Sequence, residues 1–500
     1  AKARLSSMGY LDPAGAINHI TALTAWVSRT AAIQRQLLPV MLGWFAAGPE
    51  PDAGLLAFRI LSEKMGRTSW YLRTLRDGGA AAERLCLILS SSRYLARSVP
   101  DLPESVSWLV DKKDLTPQTR QELDAELSSM IARRTSAEDI ANAGRYLRRR
   151  ELLRTAMAQV LGVVDAVASR AAVSTAAEIA ISAGLEGAVR AACEQARVSE
   201  PFSRYSVIAM GRLGGAEMGY ASDADVIFVH DPRPDADEEK AQRLAIDVAT
   251  QLAHLLGGLS TEPQIPVDYD LRPEGRNGRL TRSLAAYAEY YARWAEPWEY
   301  QALLRARPIA GDPELGREFI ALIDPYRYPP KGLEPAKIRE IQRIKARVEA
   351  ERIPRGVSPQ RHLKLGRGGL ADVEWTAQLL QLRYAGAHEL LRVTSTLEAL
   401  AACEQSNILS PEQAEHLREA WSLASLLRDM NFIGTGRSQG TKIDVLPHDL
   451  TDLGVVAALM GVEPSQRLDV EEEYLRAARR ARTVVENVFY AQARGAKEER

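Results

Sequence analysis

Apolar residues return at helical spacing through almost all of the first 195 positions, and a chain patterned in this way buries its core by packing helix on helix. Leu38, Met41, Leu42 and Phe45 form one such stripe, and Leu152, Met157, Val160 and Leu161 another. Gly48-Pro49-Glu50-Pro51-Asp52 and Asp101-Leu102-Pro103 read as turns between helices. The alanine-rich stretch 171–193 has strong helix propensity and almost no strand-like alternation. Arg145, Arg148, Arg149, Arg150 and Arg154 read as a solvated helix face rather than a phosphate contact.

Near residue 205 the texture changes. Residues 205–210 are a short apolar run ended by glycines, which reads as a buried strand. A second run, 224–229, closes at Asp231-Pro232; Ala241, Leu244, Val248, Leu252 and Leu255 then share one helical stripe, stopped by Gly257-Gly258. A third short strand is expected over 265–271, before Pro273. A proline-rich hinge at 325–330 leads back into helix through Ile338, Ile341, Ile344 and Val348, with further helix at 371–384 and 471–491. The expected class is α+β and predominantly helical: a helical domain over 1–195, a small mixed core over 196–325, and a helical bundle over 326–500.

Composition narrows the function. Lys+Arg 64 against Asp+Glu 65 leaves a formal charge of -1, so no global basic field draws the chain to nucleic acid. Cys86, Cys193 and Cys403 lie far apart and form no ligand or disulfide pattern, which suits a reducing, cytoplasmic setting. No run of about 18 uncharged apolar residues argues for a membrane span. The chain starts at Ala1 without an initiator Met, so its start carries no targeting information.

The stretch richest in chemistry is Met210-Gly211-Arg212-Leu213-Gly214-Gly215, followed after seven residues by Asp223-Ala224-Asp225-Val226. Side chains alternate along a strand, so Asp223 and Asp225 are expected on one face, where two carboxylates repel and invite a divalent cation. Hard oxygen donors suit Mg²⁺, which also takes substrate phosphates. Gly214 and Gly215 would let backbone N–H groups approach a polyphosphate, and Ser222 would add a hydroxyl. Val267-Asp268-Tyr269-Asp270 offers a third acid; Asp268 and Asp270 are both candidates, expected on one strand face. No Gly-Lys-Ser/Thr and no Gly-x-Gly-x-x-Gly follows a strand here, which excludes the P-loop and dinucleotide fingerprints.

Gly-Gly, then Asp-x-Asp, then a distal Asp resembles the nucleotidyltransferase superfamily of DNA polymerase beta. The longer string MGRLGGAEMGYASDADVIFVHDP, from Met210 to Pro232, is similar to the glutamine-synthetase adenylyltransferases, which are bifunctional adenylyltransferase/adenylyl-removing enzymes. So are Val267-Asp268-Tyr269-Asp270-Leu271-Arg272-Pro273-Glu274-Gly275, the block from Trp298 to Arg307, and the block from Lys364 to Trp375. The matches span roughly residues 140–490. One motif copy suggests a single half of such an enzyme, and Glu217-Met218-Gly219-Tyr220 resembles the C-terminal, adenylylating half. The sequence departs from the family pattern at Arg212, Val226 and Asp270, where Lys, Leu and Arg are frequent.

The resemblance implies a polymerase-beta-like core flanked by helical domains, and transfer of AMP from ATP to a tyrosine of glutamine synthetase with release of pyrophosphate. Asp223, Asp225 and Asp268 would hold two Mg²⁺ ions, Asp268 or a metal activating the partner's tyrosine. Gly214, Gly215 and Ser222 would hold phosphates. Arg212 and Arg272 would either neutralise the leaving pyrophosphate or form structural ion pairs. Lys364, Asp372 and Glu374 would either support the nucleotide site or, for the acids, stabilise a helix start. A PII-type signal protein and glutamine are expected effectors. The rival readings are phosphorolytic removal of AMP and a helical nitrogen-sensing module with little catalysis. The pairs His230-Asp231 and His448-Asp449 read as coincidence.

Overall fold

A computed structural model describes residues 1–25, 29–65, 68–77, 79–437 and 442–491. Helices dominate, and five strands form one small mixed sheet among the described residues, in keeping with the expected class. The residues group into two compact units drawn from discontinuous stretches.

One unit comprises residues 1–117, 150–169 and 425–474 and is helical. Its core holds Phe45, Leu55, Phe58, Leu61, Tyr71, Leu85 and Ile88, all buried. The expected turns fall where proline and glycine put them: helix resumes at Pro51 after Gly48-Pro49, and at Pro103 after Asp101. Ser92 caps the helix Arg93–Asp101 by accepting from Leu95 N–H at 3.0 Å, while its hydroxyl donates to the Ile433 carbonyl at 2.7 Å. Arg150 and Arg154 are not a solvated face. Both pair with buried Glu151 at 3.1 and 3.2 Å, and Arg154 lies over the Trp108 ring.

The other unit comprises residues 118–149, 170–424 and 475–500 and contains the sheet. Here too the arginines turn inward. Arg145 donates to the carbonyls of Leu255 and Gly258 at 3.0 and 3.1 Å, satisfying oxygens orphaned at the end of the helix Glu238–Gly257. Arg149 pairs with Glu262 at 2.6 Å. A basic run along a helix reads as solvated from sequence, but guanidinium groups are also the donors that buried helix ends need.

Strands β1 (Ser203–Ala209) and β2 (Ala224–Pro232) form an antiparallel pair at the centre of the sheet, with Ile208 opposite Ile227. β3 is only Val267–Asp268 and runs parallel to β2; β4 (Thr281–Ser283) is also parallel to β2; β5 (Arg307–Gly311) is antiparallel to β1. The order is β3-β2-β1-β5. One sheet face, including Ile208, Met210, Ile227 and Val229, packs against Tyr287, Tyr291, Phe319 and Ile323. The helix Glu238–Gly257 packs on β1 and β2, with the expected stripe of Ala241, Leu244, Val248, Leu252 and Leu255 buried.

Two further expectations are corrected. The third strand stops at Asp268 instead of running to 271, and Asp270 therefore lies in a turn. The hinge at 325–330 begins later than expected, since the helix Pro313–Arg327 continues through Pro325 and the next starts at Pro335. The helix Ala166–Ala196 is long and apolar enough to cross a membrane, but 72% of its most apolar window is buried inside the protein. All three cysteines are buried and free.

Candidate active site

The edge where β1 and β2 meet is built by a glycine turn. Leaving β1, the chain bends at Gly211, whose φ of +50 lies in the left-handed region, and coils through the short helix Gly211–Gly214. Met210 N–H donates to the Asp225 carbonyl at 2.8 Å, holding the turn against the start of β2. A Cβ at Gly211 would stand 2.1 Å from Asp225 Oδ2. The sequence reading passed over this glycine, although it opens the same motif. Gly211→Ala is expected to cost about 1 kcal/mol in backbone strain, and to push the Asp225 carboxylate from its seat. Activity should then fall more than stability, which comparison of turnover with the unfolding midpoint would show.

β2 and β3 place two acids side by side. Asp225 is the register partner of Asp268, and neighbouring strands lie about 4.8 Å apart. Asp223 precedes the strand rather than sitting on it; it is exposed, two residues before Asp225. Burial raises the Asp225 carboxyl to about 6, the charges of Asp268 and Asp223 push it the same way, and Lys364 and Arg212 oppose them. That balance brings five of the expected residues into one electrostatic neighbourhood. Asp268 Oδ1 accepts the Asp270 N–H at 2.7 Å, whereas the Asp270 carboxylate turns to Arg276 at 2.6 Å. Of the two candidate third acids, Asp268 is the one beside Asp225.

The glycines serve packing. Gly214 N–H donates to the Met210 carbonyl at 2.7 Å and Gly215 N–H to the Gly211 carbonyl at 3.2 Å. These are the groups expected to face a polyphosphate; the tight turn uses them itself. Cβ atoms there would meet the Arg305 carbonyl and the Arg305 guanidinium instead, at 1.8 and 2.2 Å. Ser222 Oγ accepts Gly219 N–H at 3.1 Å, which braces the loop leading to Asp223.

The arginines divide. Arg212 pairs with Glu374 at 2.9 Å, and Glu374 also accepts Trp421 Nε1–H at 3.2 Å. Burial favours the neutral form of Glu374, but Arg212, Arg305, Trp421 and Lys364 together hold its carboxyl below its ordinary value. Arg272 donates to the carbonyls of Gly278, Tyr269 and Arg276 at 2.9 to 3.0 Å, organising the loop after β3. Asp372 is buried with Lys345 and Arg482.

Sequence reasoning missed a buried pair beneath the turn. Arg305 and Glu217 meet at 2.7 Å, and Glu217 also accepts from Thr396 N–H at 2.6 Å and Ser395 Oγ at 2.9 Å. Arg307 donates to the Leu213 and Gly214 carbonyls at 2.9 and 3.1 Å, closing the same turn. Both arginines lie in the block beginning at Trp298, so the signal was present without its partner.

Residues 82–321 match the family model described as glutamate-ammonia ligase adenylyltransferase. Residues 336–491 match a second model, described as GlnD PII-uridylyltransferase. Similar curated proteins are the bifunctional glutamine synthetase adenylyltransferase/adenylyl-removing enzymes of Streptomyces avermitilis (45% identical), Streptomyces coelicolor (46%) and Leifsonia xyli (47%). Each alignment covers 98% of this chain and 47 to 50% of the relative, so the chain spans about half the length of the curated relatives it matches.

The acids suit a hard divalent cation in charge and donor type. Asp225 and Asp268 are adjacent, and the Asp268 charge adds to the cost of ionising Asp225, which a cation would relieve. Among the described residues no three His, Cys, Asp or Glu side chains stand close enough to hold an ion by themselves. A cation here would draw further oxygens from substrate phosphates and water, as Mg²⁺ sites commonly do.

Proposed function

We propose that the chain transfers AMP from ATP to a tyrosine of glutamine synthetase, releasing pyrophosphate, as the C-terminal, adenylylating half of a bifunctional enzyme. The observation that carries this reading is the register pairing of Asp225 with Asp268 beside the Gly211 turn, within a region of the adenylyltransferase family. The wording Glu217-Met218-Gly219-Tyr220 supports the adenylylating half.

In this mechanism Asp223, Asp225 and Asp268 would hold Mg²⁺, two ions being the expected number. Bound there, the metal neutralises the triphosphate and lowers the barrier to attack by a phenol. The chain's own residues then do three things. Asp225, fixed through the Gly211 turn, sets where the α-phosphate lies. Asp268, adjacent and held by the Asp270 N–H, is placed to take the tyrosine proton. Arg212, clamped by Glu374, keeps positive charge next to the reacting phosphates. Gly214, Gly215 and Ser222 shape the loop that admits them, and Arg272 holds the loop behind Asp268.

The partner supplies the nucleophile, so glutamine synthetase is the protein substrate. The similarity of residues 336–491 to the GlnD PII-uridylyltransferase model supports a link to nitrogen signalling, with a PII-type protein and glutamine as effectors and the cytoplasm as the setting. The relatives' name also covers removal of AMP, which a site of this kind would run by phosphorolysis.

The test incubates the chain with Mg²⁺, ATP labelled on the α-phosphate and unmodified glutamine synthetase. Label on tyrosine with release of pyrophosphate supports the reading; phosphate-dependent ADP release from adenylylated glutamine synthetase, without transfer, would replace it with the removing activity. Asp268→Asn is expected to lower transfer by about 10³-fold or more, and Asp270→Asn by less than about tenfold, because only its loop ion pairs to Arg276 and Arg272 are weakened. Equal losses would mean that the third acid is shared between them.

A further inference from the structure

The segment leading into the helix Leu370–Tyr384 is a compact loop fastened at both ends. Gly366 N–H donates to the His362 carbonyl at 2.8 Å, Leu365 N–H to His362 Nδ1 at 3.2 Å, and Gly369 N–H to the Gly366 carbonyl at 2.9 Å. Leu370 and Ala371 N–H then return to the carbonyls of Leu363 and Lys364 at 3.0 and 2.9 Å. Gly368 has φ +74, and a Cβ there would stand 1.8 Å from the Ala478 carbonyl, so the loop lies flush on that residue.

A buried cluster of charges anchors it. Asp372, 1% exposed, accepts Gly368 N–H at 2.7 Å, Lys345 Nζ at 2.5 Å and Arg482 Nη1 at 2.9 Å. Lys345 and Arg482 also reach Glu349, at 2.7 and 3.2 Å, and Tyr490 Oη donates to it at 2.9 Å. Two cations balance two anions. Well-packed apolar groups would serve stability as well as such a cluster. What the charges add is direction, because Asp372 Oδ1 takes Lys345 while its Oδ2 takes both the Gly368 N–H and Arg482, joining three segments at one carboxylate.

The loop leads to the acid site. One turn into the same helix, Glu374 holds Arg212, which follows the glycine packed against Asp225. Lys364 lies in this loop with its side chain exposed and its carbonyl held by the Ala371 N–H, and its charge acts on both Asp225 and Glu374. The loop is thus fixed at its base, and the Lys364 backbone is tied through the Ala371 N–H to the first turn of the helix whose Glu374 holds Arg212.

We propose that Lys364 contacts the β- and γ-phosphates that leave as pyrophosphate, and that Asp372 is the residue that positions it. The inference rests on the nucleotidyl-transfer reading. It makes the site composite: acids from the sheet, and a phosphate clamp from the helical segment whose model match is to a different family.

The test uses the full chain with Mg²⁺-ATP and unmodified glutamine synthetase. Lys364→Ala is expected to lower kcat/KM for ATP by about 100-fold, to weaken product inhibition by pyrophosphate, and to be largely rescued in Lys364→Arg. Asp372→Asn should lower kcat/KM by about 10- to 100-fold and weaken pyrophosphate inhibition in parallel. The double variant should be no worse than Lys364→Ala, since both act through one contact. Should Asp372→Asn not fold, Arg482→Lys, which keeps the charge but loses the forked contact, carries the same comparison.

Additive losses, or pyrophosphate inhibition unchanged in Lys364→Ala, would overturn the proposal. Asp225→Asn is measured beside them: transfer surviving there ends the nucleotidyl-transfer reading, whereas transfer lost there but intact in Lys364→Ala ends only this inference.

Discussion

Asp225→Asn should silence AMP transfer and, in the absence of metal, make the protein more stable at neutral pH. The two effects share a cause. Burial, then the neighbouring charge of Asp268 and Asp223, raises the Asp225 carboxyl from 3.8 to about 6. A raised carboxyl binds its proton more tightly folded than unfolded. Its favourable contribution is therefore complete below pH 3.8 and is lost as pH rises through about 6. At pH 7.5 the ionised group is a liability of up to about 3 kcal/mol, which Asn removes at nearly constant shape. The unfolding midpoint of the variant should lie above wild type at pH 7.5, and the two should converge towards pH 4. Adding Mg²⁺ should raise wild type and leave the variant nearly unmoved, because a cation relieves the same repulsion. Transfer should drop by about 10³-fold or more. A variant that is less stable at pH 7.5, or that keeps its turnover, would show that Asp225 is not the strained centre of the site.

Some of this architecture is legible because it is local. The apolar runs at 205–210 and 224–229 need no partner to be read as strands, and both lie in the sheet. The stripe from Ala241 to Leu255 likewise marks its helix. β4 and β5 escaped notice because Thr281-Arg282-Ser283 and Arg307-Pro308 carry no apolar alternation; they are strands only by pairing with β2 and β1. β3 shortened for a local reason, since the Asp268 carboxylate captures the Asp270 N–H and bends the chain. That bend decides which acid stands beside Asp225, and alternation alone treated the two alike. The inward arginines show the same limit: the carbonyls that Arg145 satisfies lie more than 100 residues away.

The pair beneath the glycine turn carries the other large expected effect. Arg305→Ala should destabilise the unit that holds the sheet by about 3–5 kcal/mol, because it leaves the Glu217 carboxylate buried without its cation. Thr396 and Ser395 would still donate to Glu217, but neutral donors do not balance a full charge. Geometry would suffer as well. Gly214 leaves room for the Arg305 carbonyl and Gly215 for its guanidinium, so truncation removes what Gly215 packs against. Transfer should weaken through KM for ATP as the turn slackens around Asp225. Glu217→Gln/Arg305→Met should recover much of the lost stability, since no lone charge remains, yet recover less of the activity, since the turn is still held by different contacts. Urea unfolding of the four proteins in a double-mutant cycle measures the coupling. A cost below about 1 kcal/mol for Arg305→Ala would mean that the pair behaves as if solvated, and that the glycines are small for some reason other than Arg305. A large coupling would instead explain why two glycines sit in a turn whose own N–H groups are already spent.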